Sequence, residues 1–291
     1  MKRTARMAML LLALAASAAA QPSTPMVTFR AEARLVEVYA TVLDRSGRYV
    51  DEVPAEQFRV LDNGAPQPLV SFENSSTQLS CAILLDTTAS MTAALPRVKN
   101  ATYRLVDDLR EHDWAAAYTF DNGLDLLQDF TQDKSAVKRA LARTRAEGGT
   151  ALFDAISRVS TDLAGRRGKK VVVVFTDGDD NASLLTGRKA ADAAKKLGVP
   201  VYVAAEGEAL RSERLMAGLK ELARLTGGKT YAVKKLNEVS DIFQDISEEL
   251  RHTYLLTYKA PEGRNGDWRQ IQVSLASSNY NVRAKEGYFG Y

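Results

Sequence analysis

In the stretch CAILLDTTASM, an apolar run ends in Asp86, and hydroxyl-bearing Thr88 and Ser90 follow at alternate positions. Two further points share that setting. Thr150 follows Gly148 and Gly149 in GGTALFD, and Asp177 closes the most apolar run of the chain, in VVVVFTDGDDN. Together these side chains offer two carboxylates and three hydroxyls, all hard oxygen donors. Such a set suits magnesium first, with manganese or calcium as alternatives. His112 and His252 are the only histidines and neither falls near the set, so a zinc site has little to draw on. Magnesium keeps waters when few carboxylates bind it, and a carboxylate from a protein partner could take one of those places.

The elements that must position these residues are legible from periodicity. Across residues 79 to 250, apolar strands alternate with amphipathic helices. LSCAILLD, WAAAYTFD, KKVVVVFTDG and VPVYVAAEG read as strands, with LPRVKNATYRLVDDLREH, GRKAADAAKKLG and ERLMAGLKELARLTGG among the helices. WAAAYTFD and LDLLQDF are joined by a tight Asn-Gly turn and are expected to run antiparallel. This alternation predicts an α/β fold with a doubly wound, mostly parallel sheet. In such sheets ligands sit beyond the carboxyl ends of the strands, where the strand order reverses. Asp86, Thr150 and Asp177 fall at such ends.

The flanks read differently. Residues 27 to 73 are β in character: LVEVYATVL alternates, and FRVLDNGAPQPLVSF is a hairpin about Asn63-Gly64 whose prolines mark an edge. Residues 252 to 291 return to β, with HTYLLTYKA, WRQIQVSLA and YNVRAKEGYF as strands. Neither flank has enough strands to bury a core by itself. The expectation is one small β-sandwich made from both, with the α/β domain of residues 79 to 250 inserted between them.

Residues 1 to 20 carry a basic start, a short apolar core and small residues before Gln21, the pattern of a signal peptide. The run is too short and alanine-rich to be read as a membrane span. An exported protein is expected, periplasmic, at the cell surface or extracellular. Lys2, Arg3 and Arg6 account for the whole excess of 39 basic over 36 acidic side chains. The remaining chain is near neutral, which argues against a nucleic-acid partner. The densest basic run, GRRGKK, reads as a solvated turn before a strand. Cys81, the only cysteine, reads as a buried hydrophobe.

The set Asp86-x-Thr88-x-Ser90, Thr150 and Asp177 resembles the metal-ion-dependent adhesion site (MIDAS) of von Willebrand factor type A (VWA) domains, in order and in placement at strand ends. Thr88 stands where that pattern has serine. The flanking β segments look like those of a bacterial secreted VWFA-related family. The resemblance implies that Thr88, Ser90 and Thr150 supply hydroxyl ligands. It implies that Asp86 and Asp177 act directly or through water, and that a partner's Asp or Glu completes the shell.

Single motifs carry less. Asp86 reads alternatively as a cap for the next helix, Thr150 as a helix N-cap, and Asp179, Asp180 and Asn181 as a solvated turn. No Gly-rich phosphate loop, calcium-binding loop or nucleophile elbow is present. An aspartyl-phosphate nucleophile at Asp86 would want an acid where Thr88 stands. The expected function is cation-dependent protein binding or adhesion without catalysis. A metal-dependent hydrolase and a scaffold with a degenerate site are the alternatives.

Overall fold

Four consecutive valines, Val171 to Val174, lie at the centre of the molecule, each at most 1% exposed. A β-branched run with no polar alternation suits a strand covered on both faces. The computed structural model describes residues 34–290, apart from 75–76, 179 and 264–265, and only the backbone of Leu236 and Phe289. The expected leader over 1–20, the stretch 27–33 of the first β segment, Asp179 and Tyr291 lie outside the described residues.

The first flank contributes β1 (Leu35–Asp44), β2 (Phe58–Asp62), β3 (Ala65–Gln67) and β4 (Leu69–Glu73). The middle region begins with β5 (Leu79–Asp86), α1 (Leu95–Asp108), β6 (Trp114–Phe120), β7 (Leu124–Thr131), α2 (Lys134–Ala142) and α3 (Leu152–Ala164). It continues through β8 (Lys169–Thr176), α4 (Gly187–Lys196), β9 (Val201–Ala205), α5 (Glu208–Arg211), α6 (Glu213–Thr226), β10 (Thr230–Ala232) and α7 (Val239–Arg251). The last flank adds β11 (Thr253–Lys259), β12 (Trp268–Leu275), β13 (Tyr280–Ala284) and β14 (Gly287–Phe289).

The middle region forms a six-stranded sheet in the order β10-β9-β8-β5-β6-β7. All neighbours are parallel except β7, which returns antiparallel along β6 as its tight turn demands. Side chains of β5 alternate between two helical layers. Cys81, Ile83 and Leu85 pack with residues of α1 and α7, and Ala82 and Leu84 pack with α3, α4 and α6. Burial pushes the Cys81 thiol up to about 12, which leaves it an inert core residue.

Strands from both flanks interleave in two four-stranded sheets, β13-β1-β11-β4 and β14-β12-β2-β3. Their inner faces share one core, with Val36, Val38 and Val42 on one side and Phe58, Val60 and Ile271 on the other. Asn63 and Gly64 both adopt positive φ, at 48° and 79°, the turn that a two-residue hairpin favours. Two strands expected from the sequence are split. Pro68 has no N–H to continue β3, so the chain leaves that sheet and β4 pairs with β11 instead. Likewise YNVRAKEGYF divides into β13, paired with β1, and β14, paired with β12.

The sandwich seats against the amino-terminal ends of β8 and β9. Tyr39 projects from β1 away from the sandwich core, and its hydroxyl accepts a hydrogen bond from Lys170 N at 2.8 Å. Arg283 of β13 meets Glu249 of α7 at 2.5 Å, and Glu249 also accepts from the Tyr202 hydroxyl at 2.8 Å. The GRRGKK segment is therefore not a solvated turn throughout. Lys169 and Lys170 are 2% and 5% exposed, and Lys169 Nζ donates to the carbonyls of Leu250 and Thr253 at the α7–β11 junction. Helix α1 also stops short of the expected His112. The Asp113 carboxylate takes the amides of Arg110 and Leu79, each at 2.8 Å, and holds the chain in a turn there.

Within the sandwich, Asp62 is fully buried. Its carboxylate accepts from the hydroxyls of Tyr258 and Tyr288, both at 2.8 Å, and from Arg269 Nε at 2.7 Å. Removing one partner of such a group strands the others without a bond. Asp62→Ala is expected to destabilise the protein by about 3–5 kcal/mol, whereas Asp62→Asn retains part of the network and costs less. Urea unfolding followed by tryptophan fluorescence measures both.

Candidate metal centre

Strands β5 and β8 are neighbours, with Leu85 in register with Phe175, so Asp86 and Asp177 emerge side by side at their carboxyl ends. The strand order runs outward through β6 on one side of β5 and through β8 and β9 on the other. This is the switch point of the sheet, where the diverging loops leave room for a ligand.

Asp86 is fully buried. Its Oδ1 accepts from Thr88 N at 3.0 Å, and its Oδ2 accepts from Thr176 Oγ1 at 2.7 Å. Burial pushes its carboxyl up to about 6 despite these hydrogen bonds, and the neighbouring Asp177 charge pushes the same way. The carboxylate thus serves its own loop rather than capping α1, whose cap residue is Ala94. The hydroxyls of Thr88 and Ser90 lie 3.0 Å apart. Thr88 is buried and Ser90 exposed, so this hydroxyl pair runs from the interior to the surface.

Backbone bonds stitch the three loops together. Ala89 N donates to Gly148 O at 3.4 Å, and Glu147 N donates to Thr87 O at 2.6 Å. Thr150 is 3% exposed, and its carbonyl accepts from the amides of Asn181 and Ala182 at 3.1 and 2.9 Å. Asn181 Oδ1 in turn accepts from Thr150 N at 3.0 Å. Thr150 is not the helix N-cap that its position suggests, because α3 starts at Leu152 with Ala151 as cap residue and no side-chain cap. A Cβ at Gly149 would lie 2.6 Å from Asn122 Oδ1 and 3.0 Å from Asn181 Oδ1, so a larger residue there would displace the two side chains that tie this loop. Asp180 is half-buried and Asn181 exposed, as in a solvated turn, yet both side chains are engaged. Asp180 accepts from the amides of Phe153 and Ser183 at 2.9 and 3.1 Å.

Asp177 is 6% exposed, and its Oδ1 is buried without a hydrogen-bond partner among the described residues. Leaving such an acceptor unmatched costs about 1–3 kcal/mol, more for a charged group. Among the described residues neither Asp86 nor Asp177 forms an ion pair with a lysine or arginine. Nor do the described residues contain a group of three or more His, Cys, Asp or Glu arranged to hold a metal. The candidate set differs in kind, because hydroxyls make up the larger part of it. An unmatched buried carboxylate oxygen beside a second shielded carboxyl is the environment that a hard divalent cation fits.

Three neighbours of the set are missing from the sequence reading. Thr176 both holds Asp86 and accepts from Gly178 N at 2.9 Å. Glu206 lies half-buried after β9, and its carboxyl is pushed up by burial first and then by Asp177 and Asp86. Asn122 holds Gly149 N from the β6–β7 turn at 3.0 Å. The signal for Glu206 was available, since AAEG places it at the end of a strand. Thr176 and Asn122 act through strands and loops that only the fold makes adjacent.

Residues 81–179 match the family model of the von Willebrand factor type A domain. That segment carries the VWA signature, and the α/β region around it has the VWA fold. Among solved structures, BatB, a conserved hypothetical protein from Bacteroides thetaiotaomicron, is 23% identical with a TM-score of 0.50, over 59% of this chain and 98% of that one. A von Willebrand factor type A protein from Catenulispora acidiphila is 12% identical with a TM-score of 0.54, over 90% of this chain and 75% of that one. An aerotolerance-related membrane protein from Bacteroides fragilis is 20% identical with a TM-score of 0.50, covering 59% and 98%. At these identities the likeness concerns the fold. The Catenulispora match reaches past the VWA domain into the flanking strands. No curated protein matches this chain.

Thr176→Val removes the donor to Asp86 Oδ2 and the acceptor for Gly178 N while keeping the side-chain volume. It is expected to destabilise the domain by about 1–3 kcal/mol, read as a lower midpoint in chemical denaturation.

Proposed function

We propose that this chain is an exported, non-enzymatic binding module whose VWA domain holds a divalent cation, Mg2+ in the first place, and recognises an acidic group of a protein partner. The observation that carries this reading is the buried Asp177 Oδ1, unmatched beside Asp86 at the switch point. Asp86, Thr88, Ser90, Thr150 and Asp177 would hold the ion. The cation supplies an electrophilic centre to which a carboxylate can bind. The chain's own residues do the positioning. Thr176 and the Thr88 amide fix the Asp86 carboxylate, and Asn181 fixes the backbone of Thr150. Exposed Ser90 marks where the set reaches the surface.

Binding rather than turnover is supported by the placement of the histidines. His112 sits in the turn before β6, at the opposite end of the sheet. His252 Nδ1 is engaged with Asp51 at 2.7 Å. Among the described residues no helix is long and apolar enough to cross a membrane. Export rests on the leader pattern at the start of the chain.

Titration of Mg2+, Mn2+ or Ca2+ into chelator-treated protein should raise its thermal midpoint, with about 2.7 kcal/mol of stabilisation at a hundredfold excess over Kd. Asp86→Ala and Asp177→Ala should remove that rise and also abolish cation-dependent capture of a carboxylate-bearing partner. An equal rise in either variant, or no rise with any of the three ions, would refute the assignment. Phosphoester turnover that disappears in the same variants would point instead to a hydrolase.

A further inference from the structure

A polar cavity lies at the end of the VWA sheet opposite the candidate metal centre, in the seam with the sandwich. It has a volume of about 210 Å³, and its lining includes Lys170, Lys195, Lys196, Lys285 and Glu37. Lys170 is the second residue of β8, six steps before Thr176, which puts the cavity about 20 Å from it at about 3.3 Å per residue. The two sites do not share a side chain.

The lining is unbalanced in charge. Glu37 is its one carboxylate, and Glu37 Oε2 already lies 3.0 Å from Lys170 Nζ. Lys195 Nζ lies 3.8 Å from the centroid of the Trp268 ring, a contact that only partly offsets the loss of water. Lys285 follows β13 and is 7% exposed. Among the described residues its ammonium makes no hydrogen bond and no ion pair, and it is not fully enclosed, so it can be reached from the cavity. Burial lowers both Lys285 and Lys195 to about 8, and the nearby Glu37 opposes the fall at Lys285 without cancelling it.

Burying ammonium groups costs free energy unless an anion meets them. A carboxylate brings one charge, whereas a phosphate-class oxyanion brings up to two charges and several acceptors, enough for Lys285 and a second lysine together. The cavity is smaller than the roughly 300–1,000 Å³ typical of pockets for drug-sized ligands, so one oxyanion group fits it better than a nucleotide.

We propose that this seam cavity is an anion site for a single phosphate or sulfate group, with Lys285 as its principal cation. An ion bound there would touch both the sandwich and the VWA domain and would stiffen their junction.

The test uses the full chain, with inorganic phosphate as the probe and sodium chloride at matched ionic strength as the reference. Phosphate should raise the thermal midpoint above the chloride reference and give a saturable isotherm by calorimetry. Lys285→Met keeps the apolar stem and removes the charge. It should weaken phosphate binding about ten- to hundredfold, the worth of one charge-assisted hydrogen bond. Glu37→Gln removes the competing carboxylate and should tighten phosphate binding, which provides a readout should Lys285→Met fail to fold. Glycerol 3-phosphate binding as well as phosphate would assign the site to the end group of an ester, and phosphate alone would assign it to the free ion. Identical behaviour in phosphate and chloride, or unchanged phosphate affinity in either variant, overturns the proposal.

Discussion

Two carboxylates lie next to each other at the ends of adjacent parallel strands, shielded from water and, among the described residues, without an ion-paired basic side chain to offset them. That constraint organises the top of the VWA domain. The register of β5 and β8 brings Asp86, the last residue of β5, beside Asp177, the first residue after β8. Hydroxyls and amides, not cations, occupy the remaining directions around Asp86. An arrangement of this kind stores an unmet demand for positive charge, and the loops that close over it are tied to one another by backbone and side-chain hydrogen bonds.

The strand ends were readable from the sequence because a doubly wound sheet puts its functional loops at one edge, and an apolar run followed by an acid marks that edge. Asp86 and Asp177 could be named from this rule alone. Thr176 could not, since its position inside an apolar strand gives no sign that its hydroxyl faces Asp86 in the neighbouring strand. Thr150 shows the opposite difficulty. A threonine just before a helical pattern looks like an N-cap, yet the helix begins two residues later and the Thr150 backbone is tied to Asn181.

The flanks show what periodicity misses. Alternation in β1 identifies the sandwich core correctly, but Tyr39 and Thr41 on the other face are buried too, because the VWA domain covers that side. Lys169 and Lys170 look like surface residues in a basic run, and the same covering buries them. A strand that touches two domains has no solvent face, and a sequence offers no sign of the second contact. The splits at Pro68 and between β13 and β14 arise for a related reason: short segments change sheets at corners that the tertiary structure defines.

The interleaving of the two flanks bears on how the chain can assemble. Strands β1 and β4 have β11 between them, and β2 depends on β12 for its inner edge. During synthesis β2 and β3 can pair as a hairpin, but β1 and β4 must wait for β11 until the whole VWA domain has emerged. Pairings so distant along the chain slow folding. The VWA domain, whose strands pair without either flank, is the natural first body to form, and it brings the ends of β4 and β11 to one side. The sandwich then closes like a clasp, completed only by the final strands.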